Sequence, residues 1–304
     1  MRNRNLKVLF VSDFFVEHVS GGAEKFDNAL FKHMQKIGIC SRILSKNANV
    51  DVINLYGKLG YFFVISNFIG LSSASKKVLQ NYKYIIIEHD HKYLKNRDPS
   101  PFKDYRAPHS EIINVDFYKN AKKIYAQSTL HAKVIGHNLS LDNIEALGCS
   151  VWSDEELDIL SDMCNSEKRE KAYVIDYINP AKGKEEAINV CNEKGLEYSL
   201  ERVSDYKSFI NLLSQHSYFV FMPRVFETFS RVVMEAKMLK CKVLTNKRST
   251  CVYEPYFKNY SGKELIEVIR KLSKEILEKI TNTATEEKET TSYKLNYLYE
   301  VDCD

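Results

Sequence analysis

The stretch Tyr218–Asn246, YFVFMPRVFETFSRVVMEAKMLKCKVLTN, decides the fold. Tyr218–Met222 is an apolar run that stops at Pro223, the pattern of a buried strand ending in a turn. Val243 and Leu244, bounded by Asn246, read as the next buried strand. Between them Val232, Val233, Ala236 and Leu239 recur at three- and four-residue spacing, which predicts a helix with one apolar side. Two carboxylates bracket that helix, Glu227 at its entry and Glu235 two turns later. On one helix this spacing turns both to roughly the same side. The unpaired N–H groups of the helix start then fall on Thr228, Phe229, Ser230 and Arg231, where they can hold a phosphate. Acids on either side of a phosphate match a nucleotide sugar, with its sugar hydroxyls, diphosphate and ribose diol. Spacing alone fits a plainer case more often: a helix-entry charge at Glu227 and a solvated acid at Glu235.

Upstream, Leu6–Ser12 reads as a buried parallel strand, followed by a turn at Gly21-Gly22 and a helix from Ala23 to about Lys36. Strand, glycine turn and helix open a dinucleotide-type fold, but G-x-G-x-x-G is missing and a nicotinamide site is not expected. Ser41–Leu44 reads as a second strand, and a helix is expected near Ser73–Gln80. Tyr84–Ile87 is a buried strand that delivers Glu88-His89-Asp90-His91 at its carboxyl end, the edge where parallel sheets bind ligands. On an extended strand His89 and His91 share a face that would also suit a metal. A third ligand and a D-x-D motif are both lacking, so no metal is expected. Lys92–Pro108 contains three prolines and must be a loop, and Lys92, Tyr93, Arg97 and Arg106 are its candidate acceptor contacts. Helix starts are expected at Phe117 and Thr129, with a strand at Ile124–Gln127 between them and Ser153 as a later helix cap. The second half opens with the strand Ala172–Ile175 and a lysine-bearing loop, Lys182-Gly183-Lys184, at a helix start. A strand at Glu197–Leu200 and a helix at Tyr206–Gln215 lead into the central stretch. After it come an amphipathic helix at Lys263–Ile280, a polar linker at Thr281–Thr291 and a segment, Tyr293–Tyr299, expected to pack back.

A chain of 304 residues is long enough for one large or two ordinary domains. The net charge of +4 is too small to establish nucleic-acid binding. Seven cysteines with no C-x-x-C pair fit reduced thiols and a cytoplasmic location. No secretory signal is apparent in MRNRN and the strand after it. Leu59–Leu71, the most apolar window, is too short to span a bilayer, so no transmembrane segment is expected; peripheral membrane contact is left open.

PRVFETFSRVVMEA resembles the E-x7-E segment of the retaining family 4 glycosyltransferases of GT-B architecture, and the strand, proline and Glu-Ala flanks agree. The resemblance implies that Glu227 contacts the transferred sugar and Glu235 the ribose. VLFVSDFF…SGGAEK is similar to that family's GGAE-type loop, which implies donor contacts at Gly21 and Gly22 and extends to Glu24 and Lys25. A family histidine near the transferred sugar carries over to His89 or His91. The family's Lys-Gly carries over to Lys182-Gly183, with the lysine on the donor phosphates. Three departures accompany this likeness. Thr228 and Ser230 stand where many members have small residues, Tyr177 stands where an arginine is usual, and KRSTCVYEP keeps Glu254 without the usual glycines. Either Arg224 or Arg231 then supplies the missing charge, or donor binding is weakened.

Together these readings predict an α/β chain of two Rossmann-like domains facing across a cleft: residues 1–160 on the acceptor side, 171–280 for the nucleotide sugar, and 281–304 as a polar tail. The implied activity is retaining, metal-independent transfer of a hexosyl or pentosyl group from a nucleoside-diphosphate sugar, with no cofactor required. The acceptor hydroxyl is expected on a saccharide or glycan precursor first, and on a hydroxylated DNA base second. A sugar-nucleotide epimerase and a non-catalytic sugar-nucleotide-binding protein are the alternatives.

Overall fold

Parallel strands covered on both faces need near-continuous apolar runs, and the runs in this chain are of that kind. In the computed structural model, which describes residues 6–19 and 21–286, six of them form one all-parallel sheet. They are β1 (Lys7–Ser12), β2 (Ile39–Leu44), β3 (Phe62–Ile65), β4 (Tyr84–Glu88), β5 (Ile124–Ala126) and β6 (Ile144–Ala146). Their order is β2-β1-β3-β4-β5-β6, so the winding direction reverses between β1 and β3. A second parallel sheet holds β7 (Arg169–Ile175), β8 (Tyr198–Glu201), β9 (His216–Phe221) and β10 (Lys242–Thr245), in the order β10-β9-β7-β8. Its winding reverses between β7 and β9. Each half therefore has one crevice outside the carboxyl ends of its strands, the place where such sheets take ligands.

Local signals set the helix starts. The Ser128 hydroxyl accepts the His131 N–H at 3.1 Å and caps helix Thr129–Leu139. Ser153 and Glu156 cap helix Asp154–Met163 reciprocally, as their three-residue spacing requires. Strand β6 was not legible, because IEA is too short to carry a periodic pattern.

Helix Asp154–Met163 leads from the first sheet to the second and packs against helices Tyr206–Ser214 and Gly262–Thr285. One apolar core runs from Leu6, Phe10 and Phe26 through Trp152 and Phe229 to Ile280 and joins the two halves. The final helix continues to Thr285, past the predicted start of the polar linker at Thr281. Its end has partners in the first half: Lys122 Nζ donates to Thr283 O at 2.7 Å, and the Tyr125 and Thr283 hydroxyls meet at 2.7 Å. Those partners hold a polar stretch helical that composition alone reads as solvated. The rest of the expected tail, including Tyr293–Tyr299, lies outside the described residues.

The central helix also differs from expectation. It spans Arg231–Met238, with Ser230 at its N-cap. Thr228 and Phe229 precede it, so their N–H groups are not part of the helix start. Glu227 lies in an extended stretch that bridges in parallel to Ser249, with its N–H on Arg248 O at 2.9 Å. Glu227 and Glu235 thus do not share a helix face. Pro223 and the backbone pairing to the turn after β10 hold residues 223–230 off the helical path.

Candidate active site

At the carboxyl edge of the second sheet, the loop after β7 and the loop after β9 meet. Lys182 Nζ lies 2.7 Å from Glu227 Oε1, so the two groups assigned to phosphate and sugar are paired with each other. Gly183 makes this approach attainable. Its φ is +70°, and a β-carbon there would fall 1.7 Å from Met222 O, at the end of β9. Tyr177 lies close by, its ring 6.1 Å from that of Phe221. Burial, with the Glu227 and Glu235 carboxylates next, pushes the Tyr177 hydroxyl far above the usual phenol range. The side chain in the expected arginine's place is therefore neutral. Beside it, Lys184 pairs with Asp176 at 2.8 Å.

Glu235 is buried. Its Oε1 accepts from Trp152 Nε1 at 3.0 Å and from Tyr206 OH at 3.1 Å. Neither candidate arginine is a free cation. Arg231 is buried, donates to Val151 O and to Glu156 Oε2 (2.9 Å), and stacks its guanidinium 4.3 Å over Trp152. It braces the joint between the halves, which corrects its expected place on the diphosphate. Arg224 is half exposed and pairs with Glu186 and Glu185 on helix Lys184–Glu193.

The first half closes over this edge. Gly21 precedes helix Gly22–Gln35, whose Glu24 carboxylate folds back onto it; a β-carbon on Gly21 would meet Glu24 Oε2 at 2.4 Å. Gly22 faces Arg231, whose Cδ would lie 3.2 Å from an added β-carbon. Lys25 pairs with Glu156 at 2.9 Å and lies 3.8 Å over the Tyr206 ring. His89 Nε2 is 3.1 Å from Asp27 Oδ1, and His89 O accepts the Thr228 hydroxyl at 2.8 Å. His89 therefore touches the residue next to Glu227. Also between the halves, Glu254 accepts the Thr129 N–H (2.7 Å) and hydroxyl (3.1 Å).

His91 does not share a face with His89, because β4 ends at Glu88 and the backbone turns. It is fully buried among Tyr93, His131 and Phe226. Lys92 and Tyr93 are likewise interior, which corrects their expected role at an acceptor. Lys92 pairs with Glu88 (2.8 Å) and Asp90 (2.6 Å), and the Tyr93 hydroxyl meets His91 Nδ1 at 2.9 Å. Arg97 is half exposed and 3.3 Å from Asp90; Arg106 lies on the same loop. Phe226, Asp27, Tyr206 and Glu156 were missed as site residues. Asp27 alone carried a signal, an acid between Phe26 and Leu30 on the apolar side of its helix.

The buried histidines fix the acid response. Burial pushes His131 down to about 3 and His91 well below the usual imidazole range. An unfolded imidazole takes a proton near 6.5, so both contribute stability above that pH and lose it as pH falls. Glu88, pushed up to about 7 by burial, and Glu24 and Glu254, also raised by burial, oppose them, while burial lowers His33 and His216 as well. A melting temperature that falls from pH 6.5 to 4.5 is expected by calorimetry, with a shallower fall in His91→Phe.

No protein-family model and no curated protein sequence matches the chain. Solved structures do. HepE of Anabaena, in complex with UDP and glucose, is 12% identical over 92% of each chain, with a TM-score of 0.53. The catalytic domain of starch synthase IV from Arabidopsis thaliana, bound to ADP and acarbose, is 10% identical over 92% of this chain and 99% of that one (TM-score 0.54). The trehalose-6-phosphate synthase OtsA is 9% identical over 92% and 99%, with a TM-score of 0.58. These are GT-B glycosyltransferases, and this chain has their fold of two facing Rossmann-like halves.

Proposed function

We propose that the chain is a retaining glycosyltransferase that moves a hexosyl or pentosyl group from a nucleoside-diphosphate sugar to an acceptor hydroxyl. The observation that carries this reading is the Lys182–Glu227 pair at the β7/β9 crevice. Similar folds hold UDP with glucose, or ADP, which favours a nucleoside diphosphate as the leaving group. In the pair each group occupies the other. A donor would take both: the ammonium turns to the diphosphate, and the carboxylate accepts a sugar hydroxyl. The pair is partly exposed and worth at most about 1 kcal/mol, so exchanging it costs little.

As the glycosidic bond breaks, negative charge grows on the departing diphosphate. Lys182 faces that charge, and the first N–H groups of helix Lys184–Glu193 add their dipoles. Glu227 holds the sugar, Glu235 offers its second oxygen to the ribose, and His89 approaches the sugar from the first half. The departing phosphate takes the acceptor's proton, so neither a separate base nor a metal is assigned. Among the described residues no helix is long and apolar enough to cross a membrane. A cytoplasmic setting fits buried, unpaired thiols such as Cys149 and Cys251.

A thermal-shift screen of UDP, GDP, ADP, CMP and their sugar conjugates tests the donor site on wild type and Lys182→Ala. At a hundred times its dissociation constant a ligand stabilises by about 2.7 kcal/mol, which moves the melting point by several degrees. One nucleotide family is expected to shift wild type and to lose that shift in Lys182→Ala. No shift with any of them overturns the reading.

A further inference from the structure

The extended stretch that carries Glu227 belongs to the second half, yet the residues on either side of that carboxylate are held by the first. Extended backbone turns successive side chains to opposite sides, and the partners here follow that alternation. Glu227 points to Lys182, 2.7 Å away within the second half. Phe226 and Thr228 point the other way. The Thr228 hydroxyl donates to His89 O at 2.8 Å. Phe226 is 5% exposed, and its ring stands edge-on to His91 and Tyr105, with both centroids 4.9 Å away. His131 lies on the same socket at 6.4 Å. The backbone is gripped from that side as well, since Asp98 Oδ1 accepts the Phe226 N–H at 3.1 Å. Asp98 is fixed in turn to its own loop, accepting the Ser100 N–H at 3.0 Å and hydroxyl at 2.6 Å. Asp104 and Tyr105 have φ of +52° and +58°, in the left-handed region where a bulky side chain is an outlier. Such a conformation persists only where surrounding contacts over-determine it, and the Tyr105 ring packed on Phe226 is one of them.

A carboxylate on irregular backbone keeps a productive geometry only if neighbouring groups lock it. Within the second half, Glu227 is tied through its N–H to Arg248 O and through its carbonyl to the Thr250 hydroxyl, both on the turn after β10. The remaining lock comes from the first half. We propose that Phe226 and Asp98 are positioning residues that act on the reaction through Glu227, with the first-half loop Asp98–Tyr105 setting where that carboxylate meets the sugar. This rests on the glycosyltransferase reading and adds to its machinery residues from both halves. Part of the loop that composition marks as an acceptor surface thus serves the donor side. A purely structural role has a different signature. Phe226 would then only stabilise the joint between the halves, as Arg231 does against Trp152, and its loss would weaken the fold without displacing Glu227.

The test uses the full chain with Phe226→Ala, Phe226→Leu, Asp98→Ala and Asp98→Asn, and combines each alanine variant with Glu227→Ala. Titration calorimetry compares UDP, GDP and ADP with UDP-glucose, GDP-mannose and ADP-glucose, and nucleotide release from each conjugate is followed with maltose present. In Phe226→Ala and Asp98→Ala the bare nucleotide is expected to keep its affinity, because Lys182 and the start of helix Lys184–Glu193 are untouched. Any affinity that the sugar adds in wild type is expected to be lost. Nucleotide release should fall by up to about 10²-fold, the cost of a group displaced by about an ångström. Asp98→Asn keeps an acceptor oxygen for the Phe226 N–H, and Phe226→Leu keeps apolar bulk in the socket, so both should recover most of the rate. In the Glu227→Ala background, neither alanine variant should lower the rate by more than about twofold further, since a residue that acts through Glu227 has nothing left to act on. The proposal is overturned if the losses multiply in the double variants, which would make the socket structural. It is also overturned if folded Asp98→Ala releases nucleotide like wild type. Asp98→Ala carries the test alone should Phe226→Ala fail to fold. If wild type neither binds nor turns over any of the donors, the transferase reading fails by itself. Faster hydrogen exchange across residues 224–228 in Asp98→Ala then still supports the clasp on Glu227, and unchanged exchange ends it.

Discussion

Gly183→Ala is expected to cost about 3 kcal/mol or more and to lower the melting temperature by roughly 6–12 °C, with nucleotide binding lost alongside. Two causes add. Holding a residue with a β-carbon in the left-handed region costs about 1–2 kcal/mol, and Gly183 has a φ of +70°. The larger cause is contact, since no side-chain motion can relieve a β-carbon 1.7 Å from the Met222 carbonyl oxygen. The loop after β7 and the end of β9 would have to part. That breaks the hydrogen bond from Arg224 N to Ala181 O, 2.9 Å long, and draws Lys182 away from Glu227. Gly195 supplies the control, with a φ of +62° and nothing within 4 Å of an added β-carbon. Gly195→Ala should show the backbone cost alone. If calorimetry finds the two variants equally destabilised, the packing of Gly183 on β9 is not what that glycine serves.

The same comparison marks where the sequence is legible. Strands buried on both faces announce themselves, and β1, β4, β7 and β9 lie within three residues of where their apolar runs predict. Caps are legible too, since Ser128 and Ser153 act locally. What failed depends on long-range partners. LYS-GLY at 182–183 could be placed by its motif, but its pairing with Glu227 joins residues forty-five apart. Arg231 reads as a helix-start cation, yet Val151 and Glu156, far back in the chain, take its charge. Lys92 and Tyr93 are the exception: the partners Glu88 and Asp90 lie only four and two residues before Lys92, and what the loop's composition hides is that Glu88, Lys92 and Tyr93 are buried. Glu227 reads as the helix entry because it lies two turns before Glu235, and only the bridge to Ser249 excludes it. Polar residues change role when a distant charge claims them, and a single sequence carries no record of that claim.

Glu227→Ala is expected to lower transfer by about 10²–10³-fold while leaving most of the stability in place, the reverse of the pattern at Gly183. Its carboxylate makes a partly exposed pair with Lys182, worth at most about 1 kcal/mol, so the fold loses little. Its backbone contacts, the N–H to Arg248 O and the carbonyl that accepts the Thr250 hydroxyl at 2.8 Å, survive the substitution. Freed from the pair, Lys182 still meets a diphosphate, so the nucleotide-induced thermal shift should persist or grow. Glu227→Gln keeps the shape and an acceptor oxygen without the charge, and should fall between wild type and alanine. Rates of transfer and thermal shifts, measured on the same three proteins, separate the remaining readings. A transferase loses rate and keeps nucleotide. An epimerase consumes donor with no acceptor present, and it too slows in Glu227→Ala. A protein that only binds sugar nucleotides gives no turnover in wild type, and the substitution then changes nothing but affinity. Tyr177 in place of an arginine makes that last outcome worth measuring, because Lys182 alone must then answer the charge that a leaving diphosphate develops.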